Sequence, residues 1–331
     1  MNVIFRKLLV IAVLTSLLSC KSNVTSDLSE PKIKSTATDS LDFSTVLKDS
    51  IEIDQNERTF SYFIPNNITE NPKLIFVLHG SNGSGDAIMR YTENWFNKLS
   101  QERKNAIIVY PDGYKQHWNE CRKEANFDAN VLDIDDIAFF KEMIAFFNYK
   151  YAVKKSGVFV AGHSNGGHMV YKLAKELPEF FAKYAAVSAS LPVDTNNDCI
   201  NSSAPVSIMI LNGTGDSINP YEGGEVNVED GNKRGEVMST RKTIEYWANL
   251  AGLDFPTTAT SIFPDLDKED GATAVLFKAT TSKYDIQLVE VKNGGHLLSV
   301  PTEAELPTFL GNNIQDINMA QLIYDFFIPA N

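Results

Sequence analysis

Val158-Phe159-Val160-Ala161-Gly162-His163-Ser164-Asn165-Gly166-Gly167 reads as a buried strand that passes through a tight turn into a helix. The four apolar residues in front are a short continuous run, the pattern of a strand covered on both faces. Residues 166–177 behind the turn carry a helical pattern that stops at Pro178. Glycines on both sides of Ser164 let the backbones of strand and helix approach closely. A sharp turn between strand and helix lifts the serine hydroxyl above the sheet edge. The start of the helix then offers free N–H groups to any negative charge that develops there.

Working outward, residues 74–78, 106–110 and 206–211 repeat the same short apolar run. Helix-like stretches at 88–101, 135–151 and 166–177 lie between them. Strand and helix in alternation predict an α/β domain with a mostly parallel central sheet flanked by helices. An extended strand is expected over 58–64, ended by Pro65-Asn66-Asn67. Residues 217–240 hold four glycines and several acids and read as a long loop, a common wall for a substrate cleft. A helix at 239–250, strands at 274–279 and 286–291, and a closing helix at 317–327 complete one domain, with no internal repeat.

A serine hydroxyl becomes a nucleophile only when a neighbouring base takes its proton. Five histidines are present, His79, His117, His163, His168 and His296. Where a nucleophile sits in such an elbow, the acid and then the histidine follow it in the chain. His296 alone fits, in Asn293-Gly294-Gly295-His296 after a strand. The acid belongs between them at a strand end, and Asp216 in Asn212-Gly213-Thr214-Gly215-Asp216 stands there. Asp230 and Asp194 are rivals that follow no comparable strand. The expected oxyanion hole joins the N–H of Asn165 to that of Ser81, after Leu78-His79-Gly80. His79 is expected to shape that loop rather than to act in chemistry.

These pieces together resemble the polyhydroxybutyrate depolymerase-like esterases, a group that includes feruloyl and acetyl xylan esterases. The likeness rests on Leu78-His79-Gly80, on Tyr110-Pro111-Asp112-Gly113 with Trp118 behind it, and on Asp135-Asp136. It extends through Gly162-His163-Ser164-Asn165-Gly166-Gly167, Asn212-Gly213-Thr214-Gly215-Asp216 and Gly294-Gly295-His296, over about residues 55–328. It implies an α/β-hydrolase fold, no cofactor, and ester hydrolysis through an acyl-enzyme. The chain departs from the group at His163, where a small or apolar residue is common. Trp247 is followed by Ala251-Gly252-Leu253, with no cysteine where many relatives have one.

The formal net charge is −12, without a basic run beyond the N-terminus, which excludes nucleic acid as a partner. Residues 1–19 read as a lipoprotein signal peptide: Arg6 and Lys7, the apolar run 8–18, then Leu17-Leu18-Ser19-Cys20. Cys20 is the expected lipidation site, a lipid anchor being the only contact with a membrane. Residues 20–50 are expected to form a flexible tether and 51–331 the catalytic domain. The expected location is exported, either secreted or anchored to the outer membrane facing the periplasm or the surface. In an oxidising compartment Cys121 and Cys199 form an even pair suited to a disulfide, with two separate buried thiols as the alternative.

Trp118, Tyr114 and Tyr221 are candidates for an aromatic-accepting cleft. Asp194-Thr195-Asn196-Asn197-Asp198 lacks the glycine and distal glutamate of a calcium loop and reads as a solvated turn, so no metal is expected. Asp135-Asp136 suits a helix start through the dipole. The function expected is serine ester hydrolysis, on feruloyl or acetyl esters of polysaccharide, by a monomer. A polyester depolymerase is the near alternative. A surface-tethered carbohydrate-binding protein on a hydrolase fold is the distant one, and the ordered Ser, Asp and His argue against it.

Overall fold

The computed structural model describes residues 46–330, apart from 201–202, 228–232, 303 and 305. In chain order the elements are β1 (Val46–Ile53), β2 (Asn56–Phe63), β3 (Lys73–Leu78), α1 (Gly85–Tyr91), α2 (Trp95–Arg103) and β4 (Ala106–Pro111). Then come α3 (Asp128–Val131), α4 (Asp136–Tyr151), β5 (Val158–His163), α5 (Asn165–Glu176), β6 (Lys183–Val187) and β7 (Ile208–Gly213). The chain closes with β8 (Gly224–Asn227), β9 (Lys233–Val237), α6 (Thr240–Leu250), β10 (Ser261–Ile262), β11 (Thr273–Thr280), β12 (Asp285–Lys292) and α7 (Met319–Phe327).

Ten strands form one sheet in the order β1-β2-β4-β3-β5-β6-β7-β12-β11-β10. The six from β4 to β12 pair in parallel, and β1, β2, β11 and β10 add antiparallel edges. Strands β3, β4 and β5 are apolar on both faces because helices cover both. Two apolar clusters result: Phe76, Phe140, Val160 and Trp247 on one face, and Ile75, Phe159, Val187 and Tyr324 on the other. This is the α/β-hydrolase sheet, a mostly parallel arrangement in a single domain. Its crossovers deliver the ends of β3, β5, β7 and β12 to one edge.

Several boundaries differ from the sequence expectation. Strand β1 begins at Val46, so the last residues of the 20–50 stretch belong to the sheet rather than to a tether. The stretch 88–101 is two helices, because Glu93 and Asn94 adopt left-handed backbone at the break. The Thr92 hydroxyl donates to the Ile88 and Met89 carbonyls there. Residues 217–240 hold a hairpin, β8 with β9, which replaces the expected open loop. Asp135 caps α4 by accepting from the Ala138 N–H at 2.8 Å. Asp136, expected to act only through the helix dipole, is buried and pairs with Arg58 Nη2 at 2.7 Å. Residues 1–19 and Cys20 lie outside the described residues.

Candidate active site

Ser164 is the N-cap of α5, with φ 55° and ψ −119°, a conformation that costs a non-glycine residue about 1–3 kcal/mol. Its own N–H donates to the Val187 carbonyl at 2.9 Å, tying the turn to β6. The neighbouring glycines make the turn possible. A Cβ on Gly162 would lie 2.2 Å from the Gly166 carbonyl oxygen, and one on Gly166 would lie 2.6 Å from that of His79. Strand and helix are therefore closer than any side chain permits. Ser164 itself remains half-exposed, within reach of a substrate.

Asp216 follows β7 and His296 follows β12, its direct neighbour in the sheet. The three side chains meet. His296 Nε2 is 2.8 Å from Ser164 Oγ, and His296 Nδ1 is 2.7 Å from Asp216 Oδ2. Asp216 Oδ1 accepts from the N–H groups of Ile218 at 2.9 Å and Asn219 at 2.8 Å. The carboxylate can only accept, so Nδ1 carries the ring proton and Nε2 presents its lone pair to the serine hydroxyl. Both His296 and Asp216 are buried, which strengthens the pair electrostatically.

His79 organises the facing loop. The Gly113 N–H donates to His79 Nε2 at 2.9 Å, so Nδ1 must carry the proton and donates to the Gly80 carbonyl at 2.7 Å. Burial lowers the His79 pKa to about 4, the Gly80 bond opposing the shift only in part. The Gly80 carbonyl also accepts from the Gly83 N–H. In a trans peptide the N–H points opposite to its carbonyl, so the Ser81 N–H faces away from His79. No acceptor among the described residues takes it. A Cβ on Gly80 would lie 3.2 Å from the Ser164 Cβ, so this peptide abuts the nucleophile. The Asn165 N–H, first in its helix, has no intrahelical acceptor either. The arrangement can take a proton from a hydroxyl and offer N–H groups beside it.

Two of the three expected cleft aromatics have other tasks. Trp118 is fully buried, its indole N–H donates to the His79 carbonyl at 3.0 Å, and its backbone N–H donates to Asn165 Oδ1 at 2.8 Å. It braces the loop and the elbow from below and lines no cleft. Tyr221 is 9% exposed and donates its hydroxyl to Glu290 Oε2 at 2.5 Å, which removes it from a substrate surface. Tyr114 is half-buried on the loop that His79 holds through Gly113.

Cys121 and Cys199 are bonded. Asn196, in the stretch read as a solvated turn, is buried and donates to the Arg234 and Glu236 carbonyls at 3.2 and 3.1 Å. Sequence reasoning had no signal for Glu120 and Arg122, a buried ion pair at 2.7 Å on the same loop as Trp118. Among the described residues no group of three His, Cys, Asp or Glu could hold a metal ion, and no helix is long and apolar enough to cross a membrane.

Residues 51–232 match the family model described as "Putative esterase". "Putative esterase NocK" of Nocardia uniformis subsp. tsuyamanensis is 21% identical over 79% of this chain and 75% of its own length. "Probable feruloyl esterase C" of Aspergillus oryzae is 25% identical over 51% of this chain, which spans 58% of that protein. "Acetylxylan esterase A" of Aspergillus awamori is 30% identical over 38% of this chain and 41% of its own. The solved acetyl xylan esterase from Aspergillus awamori superimposes with a TM-score of 0.49 at 16% identity, covering 76% of this chain and 94% of its own.

Proposed function

This chain belongs to the esterase family matched by its residues 51–232 and is a carboxylic ester hydrolase; from that premise we propose that Ser164, His296 and Asp216 carry the reaction through an acyl-enzyme. The observation behind the proposal is the hydrogen-bonded chain from Ser164 Oγ through His296 to Asp216, at 2.8 and 2.7 Å. Ser164 Oγ attacks the ester carbonyl carbon while His296 Nε2 takes its proton. Asp216 orients the ring and stabilises the imidazolium. The carbonyl oxygen, now negative, accepts from the Asn165 and Ser81 N–H groups. Collapse breaks the ester C–O bond, and the alcohol leaves with the proton from His296. A water then repeats the sequence on the acyl-enzyme, and the acid departs. These steps need no cofactor.

The substrate class we propose is feruloyl or acetyl esters on polysaccharide, in keeping with the names of the matched Aspergillus proteins. The protein acts outside the cytoplasm in this reading, held by lipid at Cys20 or released. The leader pattern of residues 6–20 supports it, as does the bonded pair Cys121–Cys199, since disulfides persist in oxidising compartments. Ser164→Ala is expected to abolish hydrolysis of short p-nitrophenyl esters with the melting transition retained. Turnover that survives the substitution would remove Ser164 from the mechanism. A panel of feruloylated, acetylated and hydroxybutyrate esters then ranks the acyl groups.

A further inference from the structure

His163 stands directly before the nucleophile, at the end of β5, and takes no part in the triad. Its ring is nonetheless packed into the site. On one side lies Tyr91, the last residue of α1, with ring centroids 5.7 Å apart and planes 25° apart. On another lies His296, the base itself, at 5.2 Å and 52°. Both separations fall in the range where aromatic rings attract. The third neighbour is the loop after β3, since a Cβ on Gly80 would lie 3.4 Å from His163 Nδ1. His163 Nε2 is buried and has no hydrogen-bond partner among the described residues. The ring is therefore held chiefly by packing.

His296 needs such a neighbour. Its hydrogen bonds to Asp216 and Ser164 fix the line through the two ring nitrogens, but not the tilt of the ring about that line. The torsion that turns an imidazole about its Cβ–Cγ bond is broad, so it does not set the tilt either. What packs against the ring faces has to set it. Among the described residues the one aromatic ring against His296 is that of His163. Burial first, then the nearby His296, lowers the His163 pKa to about 3, the His296 carbonyl opposing the shift only in part. The ring is thus neutral at pH 7 and does not repel the imidazolium that His296 becomes on taking the serine proton.

We propose that His163 is a positioning residue for the catalytic base: clamped by Tyr91, its ring sets the tilt of the His296 imidazole and keeps Nε2 aimed at Ser164 Oγ. This inference rests on the triad reading and adds to it a residue that touches no reacting atom. The side chain supplies shape rather than a proton. Another flat ring should therefore serve in its place, and a branched aliphatic one should not.

The test compares His163→Leu with His163→Phe in steady-state hydrolysis of p-nitrophenyl acetate, with thermal melts alongside. His163→Leu should lower kcat by about ten- to a hundredfold while KM stays within about twofold, the mark of lost geometry rather than lost binding. His163→Phe should rescue kcat to within about threefold of the wild type. Tyr91 makes no hydrogen bond or ring contact with the triad among the described residues, so its influence has to pass through His163. Tyr91→Leu should therefore slow the wild type but add nothing in the His163→Leu background. Should His163→Leu fail to fold, the low-field proton NMR signal of His296 Nδ1–H carries the test: sharp in the wild type, it should broaden in Tyr91→Leu. Full kcat in folded His163→Leu, a rise in KM alone, a Phe variant as slow as the Leu one, or an unchanged NMR signal overturns the inference. Retained turnover in Ser164→Ala would instead sink the triad reading beneath it.

Discussion

Asp216→Asn separates proton placement from packing. Asp216 accepts three hydrogen bonds, two at Oδ1 from the Ile218 and Asn219 N–H groups and one at Oδ2 from His296. In the asparagine the two backbone donors keep the amide oxygen, so the NH2 group must face His296 Nδ1. That nitrogen then has to accept, and the ring proton moves to Nε2, which faces Ser164 Oγ. The serine hydroxyl is left without an acceptor. The expected loss is ~10⁴-fold in kcat, equivalent to about 5.4 kcal/mol of barrier. All three contacts stay matched in donors and acceptors, so stability should fall by only about 1–2 kcal/mol. Asp216→Ala provides the contrast. It strands the Ile218 and Asn219 donors, each at about 1–3 kcal/mol, and so loses activity and stability together. Steady-state hydrolysis of p-nitrophenyl acetate with parallel thermal melts reads both quantities. An asparagine variant that kept more than about a tenth of wild-type kcat would refute the tautomer argument.

Two further predictions concern the frame of the site. His79 is neutral in the fold, with a pKa lowered to about 4 by burial, so the unfolded chain takes up its proton first as pH falls. Its contribution is complete above about pH 6.5 and declines towards pH 4 by about 3 kcal/mol; His79→Gln should remove that share of the slope when melts are compared across the window, the remainder coming from His163 and His168, whose pKa values burial also lowers. The Cys121–Cys199 bond closes a separation of 78 residues, worth about 4.5 kcal/mol in the chain-entropy model. Cys199→Ser should lower the melting temperature by an amount on the order of 10 °C, and an unchanged melt would show the bond to be dispensable.

The site was more legible than its surroundings. Ser164, Asp216 and His296 each follow a buried strand, and their chain order matches the sheet order β5, β7, β12 that brings them to one edge. Local pattern carries that information. Strand β1 left no such mark: Lys48, Asp49 and Ser50 interrupt any alternation, and its place comes from backbone pairing with β2. The hairpin of β8 and β9 was hidden for a related reason, since Gly224 and Gly235 look like loop residues until the strands pair. Trp118 was misread because an aromatic beside an expected site resembles a cleft wall. Its burial is decided by the distant His79 carbonyl, which local sequence does not encode. The pair of Glu120 and Arg122 resembles ordinary surface charge until the fold removes it from water.

The account turns on Ser164 Oγ being the atom that becomes acylated. Treatment with a fluorophosphonate ester followed by peptide mass spectrometry tests this directly. The predicted result is a single adduct on Ser164, formed in step with the loss of esterase activity and strongly slowed in His296→Ala. Labelling of a different residue, or full activity after complete modification of Ser164, would contradict it.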